Sequence, residues 1–251
     1  NGGVVETSGL SLDVNGIRVD ASAPAGLPGT WLVDPIDVTI SNGATAGGTL
    51  PDFVAGAPGA NVQDSDVSAA LNTGTNVSVS TNNTALQPDL GNLTLNAGAA
   101  INKTAGADVT LTLNAHNNIS ILGNISSTAG ALGIDLNSDS DGVNGGSISV
   151  GGFGAPVAML SNGGDVRFYG QGGPLSGRAN SATAGAPGIR VANATIDSRV
   201  GQSAGASSGD ILMRGQGSQF QLLVGSGVSI EAATLAASTG LVELNGLGGT
   251  G

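Results

Sequence analysis

The sequence predicts an all-β fold, a right-handed parallel β-helix (solenoid) with loop excursions, on three observations. Apolar residues recur two apart in short segments along the whole chain. Segments repeat at an offset of about 20–24 residues. The composition suits a narrow stacked core: 44 Gly but only 4 Phe, 1 Tyr and 1 Trp in 251 residues. Val, Ile, Leu and Ala carry the apolar content, and such small or branched side chains fit stacked strands better than a wide core built on rings.

The apolar pairs set the strands. Leu93/Leu95, Leu111/Leu113, Ile119/Ile121, Ile134/Leu136, Ile148/Val150, Val166/Phe168, Ile189/Val191 and Ile211/Met213 each alternate with polar residues, the period of a half-buried strand. Asn-Gly, Gly-Gly, Asp-Gly and Asn-Asn turns separate them. Repetition sets the coil. Leu95 to Ala107 matches Ile119 to Ala131 at an offset of 24, sharing Thr-Ala-Gly-Ala, and Leu111 and Leu113 match Ile134 and Leu136 at an offset of 23. A further copy runs from Val228 to Leu244, and Gly-Ile-Arg-Val occurs at 16–19 and at 188–191. Two or three strands per repeat, with no helical half, describe one coil of a β-helix. The whole chain, 1–251, then makes a single stack of about 10 to 12 coils, roughly 50 Å long at about 4.8 Å per coil.

Three stretches interrupt the pattern. Residues 41–72 are expected to leave the stack, first as a Gly/Ala/Pro loop carrying Phe53, then as one or two helical turns over 64–71 with Ser65 or Asp66 as N-cap. Residues 171–187 and 201–208 are expected as loops. Inward side chains should form ladders, so Ile125 is read as buried and Ser126 as exposed.

Charge and residue type exclude several functions. The formal net charge is −11, and the seven basic residues, of which only Lys103 is a lysine, are scattered. Binding to nucleic acid or to an anionic membrane is not expected. There is no cysteine, hence no disulfide and no thiolate metal site. No apolar run reaches the ~18 residues of a spanning helix. The opening Asn1-Gly2-Gly3-Val4 reads as mid-chain sequence, so a longer parent is expected.

Few residues suggest chemistry. Asn137-Ser-Asp139-Ser-Asp141-Gly142 follows the start of a calcium loop, with oxygen ligands two apart and then glycine for the turn. Ile148 stands where the closing Glu would be, so the other reading of Asn137, Asp139 and Asp141 is an acidic corner. No other cofactor is expected. His116, the sole histidine, reads as a turn residue. Asp165 with Arg167 and Asp197 with Arg199 are the nearest thing to an acid–base constellation, but spacing of two on a strand also makes a surface ion pair. Trp31 is read as packed under a loop rather than stacked on a sugar. Thr110 and Thr112 face outward without a repeating Thr array.

Gly2-Gly3-Val4-Val5-Glu6-Thr7-Ser8-Gly9, Val19-Asp20-Ala21-Ser22 and Gly29-Thr30-Trp31-Leu32-Val33-Asp34-Pro35 together resemble the filamentous-haemagglutinin-like exoproteins of two-partner secretion systems, in the region just after the secretion domain. Leu71 to Val77 and Asn137 to Gly142 are similar to motifs that follow it, and the likeness covers about residues 1–150. The resemblance implies a β-helical shaft, export through a dedicated outer-membrane transporter, location outside the cell or on its surface, and adhesion, biofilm or contact-dependent roles. A structural and adhesive shaft without catalysis is therefore the expected function, with a host or matrix glycan or protein as receptor and end-to-end self-association as a further expectation. A carbohydrate-active β-helix enzyme or glycan-binding module is the alternative.

Overall fold

The computed structural model describes residues 2–8, 16–23, 26–34, 37–43, 60–81, 91–143, 145–220 and 223–249. The chain is a stack of parallel coils whose strands fall on three sheets. Each complete coil visits them in the same order. The first sheet stacks Val4–Ser8, Thr30–Asp34, Asn76–Ser80, Val109–Asn114, Leu132–Asn137, Val166–Tyr169, Ile211–Gln216 and Val242–Leu247. The second stacks Ala60–Gln63, Val38–Ser41, Leu93–Leu95, Ile119–Ile121, Ile148–Gly151, Ile189–Ala192 and Val228–Glu231. The third holds Ala100–Lys103, Asn124–Ser127, Val157–Leu160, Ala194–Asp197 and Thr234–Ala236.

The apolar pairs form the core, because alternation points one residue in two inward. Val77, Leu111, Ile134, Val166 and Ile211 stack in register down the first sheet. Leu93, Ile119, Ile148 and Ile189 do so down the second, and Ile101, Ile125, Met159 and Ile196 down the third. All are buried. Trp31 lies in the first ladder between Val5 and Val77, wholly buried. It packs inside the coil rather than under a loop.

Several coils are longer than the repeat suggests. Among the described residues, the nine strands of the first sheet make eight rungs, since Ala179–Asn180 pairs with the far end of the strand already paired to Val166–Tyr169. Those rungs span roughly 34 Å. The short repeat holds between Asn114 and Asn137, 23 residues apart, whereas Asp165 and Asp210 occupy successive coils 45 apart. The offset of 24 is also local. It holds for Ile101 and Ile125, but Leu93 and Leu95 pair with Ile119 and Ile121. The corner 96–99 is two residues longer than the corner 122–123, and an even slip preserves the inward face.

The excursions are likewise more structured. The expected loop over 171–187 is split by the strand Ala179–Asn180, and Ser41 and residues 60–63 of the expected 41–72 excursion are strand rather than loop. The part around Phe53 lies outside the described residues. The first Gly-Ile-Arg-Val copy is not a strand; the second is. Residues 201–208 hold a 3-10 turn and no strand.

The helix Asp64–Asn72 solves an edge problem. It lies where the third sheet would have another strand below Ala100–Lys103. Neither Ser65 nor Asp66 caps it: the N-cap is Gln63, with no side-chain cap bond. Asp64, Ser68 and Asn72 instead accept the backbone N–H groups of Ala100 (2.7 Å), Asn102 (2.9 Å) and Thr104 (2.7 Å). Four residues of helix rise about 6 Å and two residues of strand about 6.6 Å. Acceptors every fourth helical residue therefore meet the alternate outward N–H groups of an edge strand, which would otherwise be open to pairing. Asp66 reaches the other way, accepting Gly16 N–H at 2.9 Å.

Candidate functional site

At the corner after Leu132–Asn137, Asn137 donates its amide to Asn114 Oδ1 (3.1 Å), and Asn114 donates to Ser80 Oγ (3.3 Å), a short polar ladder across three coils. Asn137 Oδ1 is buried and has no hydrogen-bond partner among the described residues. Asp139 follows with φ +50° and is only 6 % exposed. Its carbonyl is held by the N–H groups of Gly142 (3.1 Å) and Gln171 (3.2 Å), yet its Oδ1 has no partner among the described residues. Burial, then the neighbouring Asp141 charge, pushes its carboxyl up to about 6, against a hydrogen bond from Gly145 N–H. Asp141 Oδ1 accepts Val143 N–H (3.1 Å), and its Oδ2 lies 3.8 Å from His116 Nδ1. Ile148 is buried in the next strand, so no closing carboxylate reaches this corner from that position. Among the described residues, no group of three or more His, Cys, Asp or Glu is arranged to hold a metal.

The two Asp–Arg pairs are bound into the stack. Asp165 pairs with Arg167 through Oδ2, while its Oδ1 accepts Asp210 N–H of the next coil (2.8 Å). Arg167 also reaches back 3.3 Å to Asp135 of the preceding coil. Asp135 is raised, by burial first, against the pull of Arg167. Burial likewise pushes nearby Tyr169 up to about 12. Asp197 is not a surface residue as expected. It is 3 % exposed, and its oxygens take Arg199 Nε (2.9 Å), Nη2 (2.6 Å) and N–H (3.0 Å). These bonds hold its carboxyl below the usual range. Both oxygens of Asp165 and of Asp197 are hydrogen-bonded within the stack.

Corner carboxylates and amides repeat this role. Asp108 accepts Ala131 N–H (2.7 Å), Asp210 accepts Leu241 N–H (2.8 Å) and Asn124 accepts Ala158 N–H (2.9 Å), each from the next coil.

Lys103 carries no chemistry in a sequence reading, yet it is wholly buried. Its ammonium donates to the carbonyls of Ala105 (2.9 Å), Gly106 (3.2 Å) and Ala129. Burial lowers its pKa, against the attraction of Asp108. Opposite it in the next coil, Ser127 bonds the carbonyls of Ala129 (3.3 Å) and Gly130 (2.8 Å), the same two steps along its own turn. The signal was present: Lys103 lies two residues after the inward Ile101, where its sister coil has serine.

Two surface depressions were not legible either. A groove of about 540 Å³ runs over the first sheet between Pro174–Leu175 and Leu241, with Asp165, Arg167, Arg214 and Glu243 in its lining. An apolar hollow of about 340 Å³ lies beside Phe153, whose ring is fully exposed with Arg190 5.9 Å from its centroid. Thr110 and Thr112 face outward on the first sheet, and no described helix is long and apolar enough to cross a membrane.

No protein-family model matches the chain, and no curated protein matches its sequence.

Proposed function

We propose that this chain is a non-catalytic structural and adhesive shaft segment of a large secreted bacterial surface protein, of the filamentous-haemagglutinin-like, two-partner-secreted kind. One observation carries the structural part. Asp165 and Arg167, read in the sequence as a possible acid–base pair, join one coil to the next, through Asp210 N–H and Asp135. The export and surface part rests on the Gly29 to Pro35 block and its upstream partner. On this reading the chain passes an outer-membrane transporter, stands outside the cell and presents its corner loops to a glycan or protein receptor. End-to-end association with further copies belongs to the same reading. Deleting the gene for the dedicated outer-membrane transporter in the source strain should trap the protein inside the cell. Surface protein at undiminished level would overturn the reading.

The groove over the first sheet favours glycan binding as a second reading. Its size suits a small saccharide, and carboxylates beside exposed Leu175 and Leu241 match hydroxyls and a C–H face. A screen on polyuronides and other acidic glycans tests for turnover. Activity lost in Asp165→Ala or Asp197→Ala would replace the shaft with an enzyme.

A further inference from the structure

Two buried side-chain oxygens with no donor among the described residues lie two residues apart in sequence at one corner, Asn137 Oδ1 and Asp139 Oδ1. A buried acceptor without a partner is costly, and an ionised one more so. The backbone is already wrapped there, with Asp139 at φ +50° and Gly142 at φ +69°.

We propose that this corner binds a hard divalent cation, calcium, through Asn137 Oδ1, Asp139 Oδ1 and the Asp141 carboxylate. The observations are independent: the ligand-type spacing belongs to the sequence, and the unpartnered buried oxygens belong to the structure. An oxygen-only donor set selects calcium over zinc or copper, and the two carboxylates supply its charge. Magnesium is disfavoured because it demands near-ideal octahedral geometry. Main-chain carbonyls and water complete the shell, since no carboxylate stands at the position of Ile148. With that ligand missing, affinity falls to the about 10⁻⁴–10⁻³ M of extracellular calcium modules.

The test is calorimetric titration of the whole chain with calcium chloride at mildly alkaline pH, together with melting curves up to about 10 mM calcium. Saturable binding and a Tm that rises with calcium are expected. Asp139→Asn and Asp141→Asn should each weaken binding at least about tenfold. Asp139→Asn should melt no lower than the calcium-free protein, because it removes a buried charge. Terbium gives a local readout. Tyr169 pairs with Asn137 on the next rung, so tyrosine-sensitised emission should appear, be displaced by calcium and vanish in Tyr169→Phe. Absence of calcium binding at about 10 mM, or binding unchanged in both Asp variants, overturns the site. A calcium effect equalled by magnesium overturns the choice of ion.

Discussion

Replacing Lys103 with methionine isolates what a buried ammonium contributes to a solenoid corner. Methionine keeps the stem's length and apolar character, so the space stays filled, but it donates nothing. Of the three carbonyls the ammonium holds, Ala129 O keeps a partner in Ser127 Oγ. Ala105 O and Gly106 O lose their bonds to Lys103. Each loss costs about 1–3 kcal/mol when the carbonyl stays dry. Ala105 and Gly106 lie on an exposed turn, which lets water recover part of that. Removing the desolvated charge, whose cost lowers the lysine pKa, recovers more. The net expectation is a loss of about 2 kcal/mol. Urea denaturation of wild type and Lys103→Met reads it directly. Asn102→Ala serves as control at an exposed position of the same strand, with an expected change of about 0.5 kcal/mol or less. A Lys103→Met midpoint equal to wild type would show that the ammonium bonds are matched by water in the unfolded chain, and would refute the argument.

Other predictions test the register and the corners. Ile125→Asp should cost about 5 kcal/mol or more, since it leaves a void and an unpaired carboxylate in the third-sheet ladder, whereas Ser126→Ala loses one exposed bond to Asn102 (2.9 Å) and about 0.5 kcal/mol. Equal melting temperatures would invert the in/out assignment. Gly209→Ala should cost about 3 kcal/mol, because its Cβ would run into the Gly164 carbonyl of the coil below. Gly154→Ala meets nothing and should be silent in the same melts. The Asp197–Arg199 pair predicts a pH dependence. The folded carboxyl is held below its ordinary value of 3.8, so its contribution is complete above that value and is lost as pH falls through the lower folded value. The Tm gap between wild type and Asp197→Asn should therefore be widest at neutral pH and close in acid; a gap independent of pH would contradict the linkage.

The inward face of nearly every strand was legible because alternation is local. Leu111/Leu113 and Ile134/Leu136 identify their own strands and even pair in the expected register. What was not legible depends on corner length. The two extra residues at 96–99 shift Leu93 and Leu95 against the repeat, and no local signal marks which copy is longer. Asp135 and Arg167, 32 residues apart, meet only because an intervening coil happens to have that length. The calcium-like spacing of Asn137, Asp139 and Asp141 was readable, but the sealing of two oxygens was not, since it depends on how neighbouring coils cover the corner. The helix was foreseen as a short excursion. Its task was hidden, because a helical period matched to a strand period is visible only once the two lie side by side.

That helix gives the third sheet a direction. Elsewhere in a solenoid a rung can template a new strand on either side, so ordering can start at any coil and spread both ways. With the N–H groups of Ala100, Asn102 and Thr104 occupied by Asp64, Ser68 and Asn72, the lower side of the strand Ala100–Lys103 offers no template. Growth of this sheet can proceed only toward Asn124–Ser127 and beyond. The same three side chains that close an edge also act as a ratchet pawl, making the order in which these strands can be added a property of the folded chain itself.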